Sequence, residues 1–413
     1  MSIMMKFREP VGETFSVAVA GDFCPRGNST SICAAEASNI VKNILPVYGA
    51  ADIRLLNWET AIDTDSAPIA KSGPNLRCSS EALEFARALK AQVLMLANNH
   101  TGDYGGDALL NTIEECEKSG FATVGAGADA EAAAEALIVE AKGIKLAILN
   151  ACEHEFGFAR RNTPGTCGMD LPLILEHIRE LKKQKYLVMV TLHGGHENFP
   201  APSPRMVKLF RALADGGADA VFNTHTHCPL GCEIHNGIPI VGSCGNFYFP
   251  TKDYSISDFK PWHLGYLPVY SFDSQGAWQL ELTPYLNMPH SIELFDENDE
   301  ADFKSYFSEL CRPFEDMEYC ENLFDSWCWS KEPNYYFQRM FEMEKPENGW
   351  DFEAIHKQMM PFRNLLNCES HCDILRNCML IIEEKRCGSA GEYAGKIQEL
   401  RALEWLKLTG AEK

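Results

Sequence analysis

The chain has 413 residues, of which 46% are hydrophobic and 10% are aromatic. This length and composition allow a sizeable buried core and exclude a disordered chain. The formal net charge of −21 at pH 7 argues against DNA or RNA as the main partner, because binding to phosphates needs a basic surface. A small anionic substrate would need a local cation, such as a metal ion, to overcome the field of the whole protein.

The sixteen cysteines are scattered without a repeating spacing, which does not fit an extracellular disulfide framework. The first residues, MSIMMKFREPVGE, lack the apolar segment of a signal peptide. No window holds the ~18 uninterrupted apolar residues of a membrane span. We therefore predict a cytoplasmic protein with reduced thiols. Three cysteines near His371, at 368, 372 and 378, match no common zinc module, which argues against a structural zinc there.

Short apolar, β-branched runs alternate with stretches that have the period and the caps of helices. This alternation predicts an α/β fold with buried strands. Strands are predicted at 15–20, 53–56, 93–97, 121–124, 186–192 and 220–222, with a hairpin at 136–140 and 145–150 and closing strands at 265–273 and 277–282. Helices are predicted at 31–45, 81–90, 106–119, 171–184 and 204–215.

The pattern of apolar residues changes from about Ser291, after which they recur with the 3.6-residue period of helices. We predict one domain over 12–288 and a helical C-terminal region over 289–413. Helices are predicted at 301–313, 335–344, 352–385 and 392–408. Two roles stay open for this region: it covers the functional site, or it forms a homodimer through its aromatic, cysteine-rich faces.

Two histidines, His225 and His227, follow the strand at 220–222 and are one residue apart. Side chains at i and i+2 share a face in extended backbone, so both imidazoles can reach one metal or two adjacent metals. Taken alone, such a pair is more often two polar loop residues. Other polar side chains also closely follow predicted strands, whose carboxyl ends gather at one edge of a sheet. They are Asp22, Glu59, Asn99, His100 and His193.

Oxygen and imidazole ligands in this mixture suit Mn, Fe, Zn or Co better than calcium or a thiolate site. A carboxylate that bridges two such metals ~3.5–4 Å apart would let a metal-bound hydroxide attack an ester phosphorus in line. The residues therefore predict a metal-dependent hydrolase.

The strand-end residues lie in short motifs whose order and sequences resemble those of the capsule-synthesis CapA (poly-γ-glutamate synthesis) family, which belongs to the calcineurin-like metallophosphoesterase superfamily. The resemblance covers roughly residues 15–286 and implies a four-layer αββα sandwich, to which the C-terminal helices are an appendage. The motifs are Gly21-Asp22-x-x-x-Arg26, Asn57-Trp58-Glu59, Leu96 to Gly105 (LANNHTGDYG), Gly125-Ala126-Gly127, His193-Gly194-Gly195-x-Glu197, Gly217 to Val221 (GADAV), His225-x-His227 and Gly245-Asn246-Phe247.

The resemblance also implies two divalent metal ions that share one bridging carboxylate, Glu59. Asp22 and His227 would complete the ligands of one metal ion. The ligands of the other would be Glu59, Asn99, His193 and His225.

The resemblance further implies that His100 protonates the leaving oxygen or steadies the transition state. Arg26, Lys71 and Arg77 are candidates for contact with anionic groups of the substrate. Cys24 stands where many metallophosphoesterases have a histidine, and it could be a ligand or a bystander.

Three functions follow from this interpretation. The first is a dinuclear metal-dependent phosphoesterase that uses a metal-bridging hydroxide. The second is an accessory protein of capsule or poly-γ-glutamate synthesis that binds or cleaves γ-glutamyl polymer. The third is a non-catalytic metal-binding scaffold.

Overall fold

The computed structural model describes residues 2–25, 32–63, 65–250, 259–330 and 352–406. Two mixed β-sheets and flanking helices form its body, and further helices follow. The strands are β1 (Ile3–Lys6), β2 (Phe15–Phe23), β3 (Ile53–Trp58), β4 (Ala61–Ile62), β5 (Arg77–Cys78), β6 (Val93–Met95), β7 (Ala122–Val124), β8 (Ala126–Gly127), β9 (Leu137–Ala141), β10 (Ile144–Cys152), β11 (Gly165–Thr166), β12 (Leu187–His193), β13 (Ala220–Thr224), β14 (Cys232–His235), β15 (Ile238–Val241), β16 (Asn246–Tyr248), β17 (Leu264–Asp273), β18 (Gly276–Met288) and β19 (Ser291–Leu294). The helices are α1 (Ala34–Val41), α2 (Leu45–Tyr48), α3 (Leu83–Leu89), α4 (Gly105–Lys118), α5 (Ala130–Ala134), α6 (Leu171–Lys183), α7 (Pro204–Asp215), α8 (Glu297–Glu315), α9 (Met317–Ser330), α10 (Phe352–Asn367), α11 (Glu369–Glu383) and α12 (Ala394–Ala402).

Parallel strands form the middle of both sheets. The first sheet has the order β1-β18-β17-β2-β3-β6-β7, with β16 beside the end of β2 and β19 beside β18; β2, β3, β6 and β7 are parallel. The second has the order β14-β15-β13-β12-β10-β9, in which β10, β12, β13 and β15 are parallel. The carboxyl ends of the parallel strands therefore lie along one edge of each sheet.

The two sheets pack face to face and helices cover their outer faces. Leu55 of the first sheet and Met189 of the second belong to one buried core. Phe85 of α3 packs on the other face of the first sheet, and Phe210 of α7 packs on the other face of the second. The predicted αββα sandwich is confirmed by these layers.

Some elements differ in length from the prediction. Strand β2 continues past Ala20 to Phe23, because Asn246 of β16 pairs opposite Asp22 and extends the ladder. The helix predicted at 352–385 is divided into α10 and α11, because Cys368 adopts an extended conformation and precedes the second helix as its N-cap. The helix predicted at 31–45 is likewise divided, since α2 begins anew with a proline in its first turn.

The C-terminal helices pack against the sandwich. Phe199, from a loop of the sandwich, stacks on Trp327 of α9 with ring centroids 4.9 Å apart, and Leu310 of α8 joins the core between the sheets. The helix predicted at 335–344 lies outside the described residues, and the division at 288/289 stays a prediction. None of the helices in the described ranges is long and apolar enough to cross a bilayer.

Candidate metal centre and its cavity

The predicted ligands meet where the parallel strands of both sheets end. Asp22 is the next-to-last residue of β2, and His193 is the last residue of β12. Glu59 follows β3 directly, and His225 follows β13 directly. Strand pairing brings Asp22 near Glu59 in the first sheet and His193 near His225 in the second. The face-to-face packing of the two sheets then brings the two pairs together.

Asp22 is buried and anchored by several hydrogen bonds. Its Oδ1 accepts from Asn57 Nδ2 at 2.7 Å and from Thr224 Oγ1 at 2.6 Å, and its Oδ2 accepts from the backbone N–H of His225 at 3.2 Å. Burial would raise the pKa of Asp22, but a hydrogen bond with His227 and the nearby imidazoles outweigh it and lower the pKa well below its usual value. The carboxyl is therefore ionised and fixed in place.

Glu59 lies at the centre of the group. Its Oε1 is 3.8 Å from His193 Nε2 and 3.9 Å from His227 Nε2. Both carboxylate oxygens are buried, and neither has a hydrogen-bond partner among the described residues. Burial, with the negative charges of Asp22 and Glu197, raises the pKa of Glu59 well above its usual value. A buried carboxylate without donors is costly, and bound cations would remove that cost.

Asn99, His193 and His225 form a chain of close contacts beside Glu59. His193 Nε2 lies 3.0 Å from Asn99 Oδ1 and 3.0 Å from His225 Nδ1. Burial and the neighbouring His225 lower the pKa of His193 well below its usual value. A neutral imidazole is the form that ligates metals.

The backbone bends sharply where the two histidines follow β13. His225 has φ 103° and His227 has φ 54°, a region that residues other than glycine rarely adopt. His227 Nδ1 is 2.8 Å from Asn246 Oδ1 and 3.5 Å from Asp22 Oδ2. The bend turns the two imidazoles towards different parts of the site, and such strain is often found at functional sites.

The donor atoms fall into two groups that share one residue. Ligand atoms of Asp22, Glu59 and His227 lie within 4.8 Å of one another, and so do those of Glu59, His193 and His225. Both groups offer only oxygen and nitrogen, which suits Mn, Fe or Zn. Together with the bare carboxylate of Glu59, this donor set fits two divalent ions, and the residues that would hold them stay a prediction.

His100 forms a buried triad with Asp103 and Lys71. Its Nδ1 is 2.7 Å from Asp103 Oδ2, and Lys71 Nζ is 3.4 Å from the same nitrogen. Lys71 also donates to the Asp103 carboxylate and to the carbonyl oxygen of Asn99. Burial and the Lys71 charge outweigh Asp103 and lower the pKa of His100.

The other predicted residues are placed differently. Lys71 and His100 line the cavity described below. Arg77 lies on β5, exposed, with its guanidinium over the ring of Tyr104, and does not line that cavity. Arg26 lies outside the described residues. Cys24 packs in a small buried cluster with Leu76 and Phe249, and the described groups of converging ligand atoms do not include it.

A cavity of about 390 Å³ opens beside the candidate centre. Asn99, His100 and His225 line its floor, and Asn364 and His371 of the C-terminal helices line one wall. The C-terminal region thus covers the site, which was one of its two open roles; the homodimer stays a prediction.

Sequence reasoning missed several residues of the site. Asn57 and Asn246 are part of the motifs quoted above, so their positions in those motifs could have indicated them as residues of the site. Glu155 accepts from Asn99 Nδ2 at 2.9 Å, and it lies outside the motifs quoted above. No local pattern could have placed His371 beside it, because more than two hundred residues separate the two.

A buried group of oxygen and imidazole ligands at the strand ends of an αββα sandwich defines a candidate metal-dependent protein. Residues 16–251 match the family described as "Bacterial capsule synthesis protein PGA_cap". The chain belongs to this family, and the predicted resemblance is confirmed.

Two curated relatives carry capsule-related names. The chain is 29% identical over 252 residues to "PGA biosynthesis protein CapA" of Bacillus subtilis (strain 168), a match that covers 60% of this chain and 65% of the relative. It is 26% identical over 234 residues to "Capsule biosynthesis protein CapA" of Bacillus anthracis, covering 53% and 57% respectively. The matches thus span less than two thirds of either relative.

Solved structures are similar at low identity. A novel phosphatase of Mycoplasma pneumoniae shows 13% identity and a TM-score of 0.44, over 68% of this chain and 95% of that one. A 5'-nucleotidase precursor of Thermus thermophilus shows 14% identity and a TM-score of 0.42, over 73% and 59%.

Proposed function

We propose that this protein is a dinuclear metal-dependent hydrolase of the phosphoesterase type that acts on a small anionic substrate. The observation that carries the proposal is the Glu59 carboxylate, which is buried, lacks hydrogen-bond partners among the described residues and lies between two histidine groups. Nothing in an αββα fold requires such a group for stability, since an isolated buried charge opposes folding.

Two divalent ions would activate water and neutralise charge that develops on a phosphoryl group. Asp22, Glu59 and His227 would hold one ion, and Glu59, Asn99, His193 and His225 would hold the other. Mn, Fe and Zn all suit these donors.

The chain's own residues would position the substrate and move a proton. His100 lines the cavity, and Asp103 accepts at its Nδ1, which orients the ring so that Nε2 is left for the substrate. When Nε2 carries a proton, His100 would give that proton to the leaving oxygen of the substrate. Lys71 supplies a buried positive charge beside it, although Asp103 balances part of that charge.

The test is metal-dependent ester hydrolysis by the full chain. We expect p-nitrophenyl phosphate or a related ester to be cleaved after loading with Mn²⁺, Fe²⁺ or Zn²⁺. Glu59→Gln should lose metal and activity together, whereas His100→Asn should keep the metal and lose at least ~10²-fold in rate. If the protein binds metal but hydrolyses no ester in a broad panel, the hydrolase proposal is contradicted and the non-catalytic metal-binding scaffold is favoured.

The family and its relatives' names favour a second candidate, an accessory protein of poly-γ-glutamate or capsule synthesis. Here the same site would bind or cleave γ-glutamyl polymer. Shortening of poly-γ-glutamate by the wild type but not by Glu59→Gln, with no ester cleavage, would favour this candidate over the first. The proposed location for either activity is the cytoplasm.

A further inference from the structure

The loop after β10 holds the first turn of α11 by paired hydrogen bonds. Ser370 donates to Glu153 through its backbone N–H at 3.2 Å and its hydroxyl at 2.8 Å. His154, which follows Glu153 in the loop, donates its backbone N–H to Glu369 Oε2 at 2.9 Å. These contacts fix the distance between the C-terminal helices and Glu155, the following residue of the loop.

Glu155 faces two potential metal ligands from the beginning of α11. Cys368 is the N-cap of the helix and His371 is three residues further on, so both side chains lie on one side of its first turn. Cys368 Sγ is 3.9 Å and His371 Nε2 is 3.6 Å from Glu155 Oε1. Ligand atoms of all three residues lie within 4.8 Å of one another.

Cys368 Sγ is within hydrogen-bond reach of Glu153 Oε2 at 3.4 Å as well as of Glu155, whereas the contact between His371 and Glu155 is not a hydrogen bond. A contact of 3.6 Å between nitrogen and oxygen is too long for a hydrogen bond. Tetrahedral zinc with ordinary bond lengths would place its ligand atoms roughly 3.3–3.6 Å apart. The contacts of Cys368 and His371 with Glu155 therefore need to shorten by only a few tenths of an ångström, which side-chain rotation can supply, and the third pair of ligand atoms lies within 4.8 Å.

We propose that Glu155, Cys368 and His371 form a third divalent-cation site, suited to Zn²⁺, that joins the C-terminal helices to the sandwich. A thiolate, an imidazole and a carboxylate are the donors zinc takes in proteins, and the sulfur sets this site apart from the two nitrogen–oxygen groups. The spacing of the three cysteines near His371 matches no common zinc module. The proposed site does not depend on that spacing, because it uses only Cys368 among them and takes its third ligand, Glu155, from the sandwich.

The site adjoins the dinuclear centre without sharing a ligand with it. Asn99 lies between them, with Nδ2 2.9 Å from Glu155 Oε2 and Oδ1 3.0 Å from His193 Nε2. Glu155 and His371 both line the cavity, so a cation held by them would lie beside it. A third cation there would give an otherwise acidic protein a second point of attraction for an anionic substrate.

The test uses Co²⁺ as a spectroscopic probe of the full chain after removal of bound metal. A cobalt ion bound by cysteine shows a thiolate-to-cobalt charge-transfer band, and a site of nitrogen and oxygen donors does not. We expect the wild type to show the band and Cys368→Ser to lose it, together with one equivalent of bound Zn²⁺. His371→Gln should weaken Zn²⁺ binding at this site by at least tenfold.

Two controls separate this site from other sites. Cys372→Ser, on the same helix but outside the group, should keep the band, and so should Glu59→Gln, which removes the bridge of the dinuclear centre. A wild type without the band would overturn the proposal, as would a band that survives in Cys368→Ser or disappears in Cys24→Ser. Circular dichroism of each variant checks that loss of the band does not reflect unfolding.

Discussion

Ser370 and Glu153 join the C-terminal helices to the sandwich through two hydrogen bonds on one carboxylate. Arg205 reinforces the junction, since its guanidinium pairs with both Glu153 and Asp373 of α11. The cavity wall therefore depends on a small, largely buried group of charges.

Replacing Arg205 by methionine should loosen this wall. Glu153 is buried and would lose its charged partner, and removing one member of a buried pair costs roughly 3 kcal/mol. Urea unfolding followed by tryptophan fluorescence, with Trp327 of α9 as one reporter, measures the loss. Arg179→Met, at an exposed position of α6, is the matched control and should change the free energy of unfolding by less than ~0.5 kcal/mol. Equal effects of the two substitutions would contradict this role of Arg205.

Acidity should strengthen the docking of α11. The hydrogen bond from His154 to Glu369 raises the pKa of His154 above its usual value. A raised folded-state pKa stabilises the fold fully below the unfolded value of about 6.5 and stops doing so as the pH rises through the folded value. The protection factors of the α11 amides, which correct for the intrinsic rise of hydrogen exchange with pH, should therefore fall across that range. His154→Gln should remove this part of the pH dependence, and an unchanged profile in the variant would assign it to other groups.

Glu59→Gln should have different effects on the stability of the protein without metal and on the stability gained when metal binds. Without metal, the variant should be at least as stable as the wild type, because a buried carboxylate without partners opposes folding. With metal at about 100 times its dissociation constant, the wild type should gain about 2.7 kcal/mol for each ion bound, and the variant much less. Thermal unfolding with and without chelator measures both effects. A variant that is clearly less stable than the wild type in chelator would show that Glu59 also has a structural role.

Gly21→Ala should displace the strand that carries Asp22. A Cβ at this position would lie 2.3 Å from the carbonyl oxygen of Gly245 and 2.6 Å from Cys244 Sγ, and neither the backbone nor the packed core can yield easily. We expect a loss of roughly 1–3 kcal/mol and weaker metal binding. Gly395→Ala, where a Cβ would meet nothing within 4 Å, is the control and should be neutral or slightly stabilising. Calorimetry and metal titration of the two variants decide the matter.

Strand periodicity was enough to predict that the polar side chains at the strand ends gather, because parallel strands place their final residues along one edge; their assignment to two metal ions came from the family resemblance. Asp22, Glu59 and His193 were predicted to meet for this reason, and the structure brings them together. The αββα layering came from the family resemblance, since periodicity does not show which faces of two sheets pack together. The position of α11 was beyond sequence reasoning altogether, because its contacts with Glu153 and Glu155 join residues more than two hundred positions apart.

That separation also sets an order of assembly during synthesis of the chain. Every proposed ligand of the dinuclear centre lies between residues 22 and 227, so the ribosome completes that set long before it reaches Cys368. At about 5–20 residues per second, the interval between His227 and Cys368 lasts roughly 7–28 s. During that time the proposed ligand set is complete and could take up metal from the side that α10 and α11 later cover. The third cation would then be the last to bind, and would close the cavity over a centre already loaded.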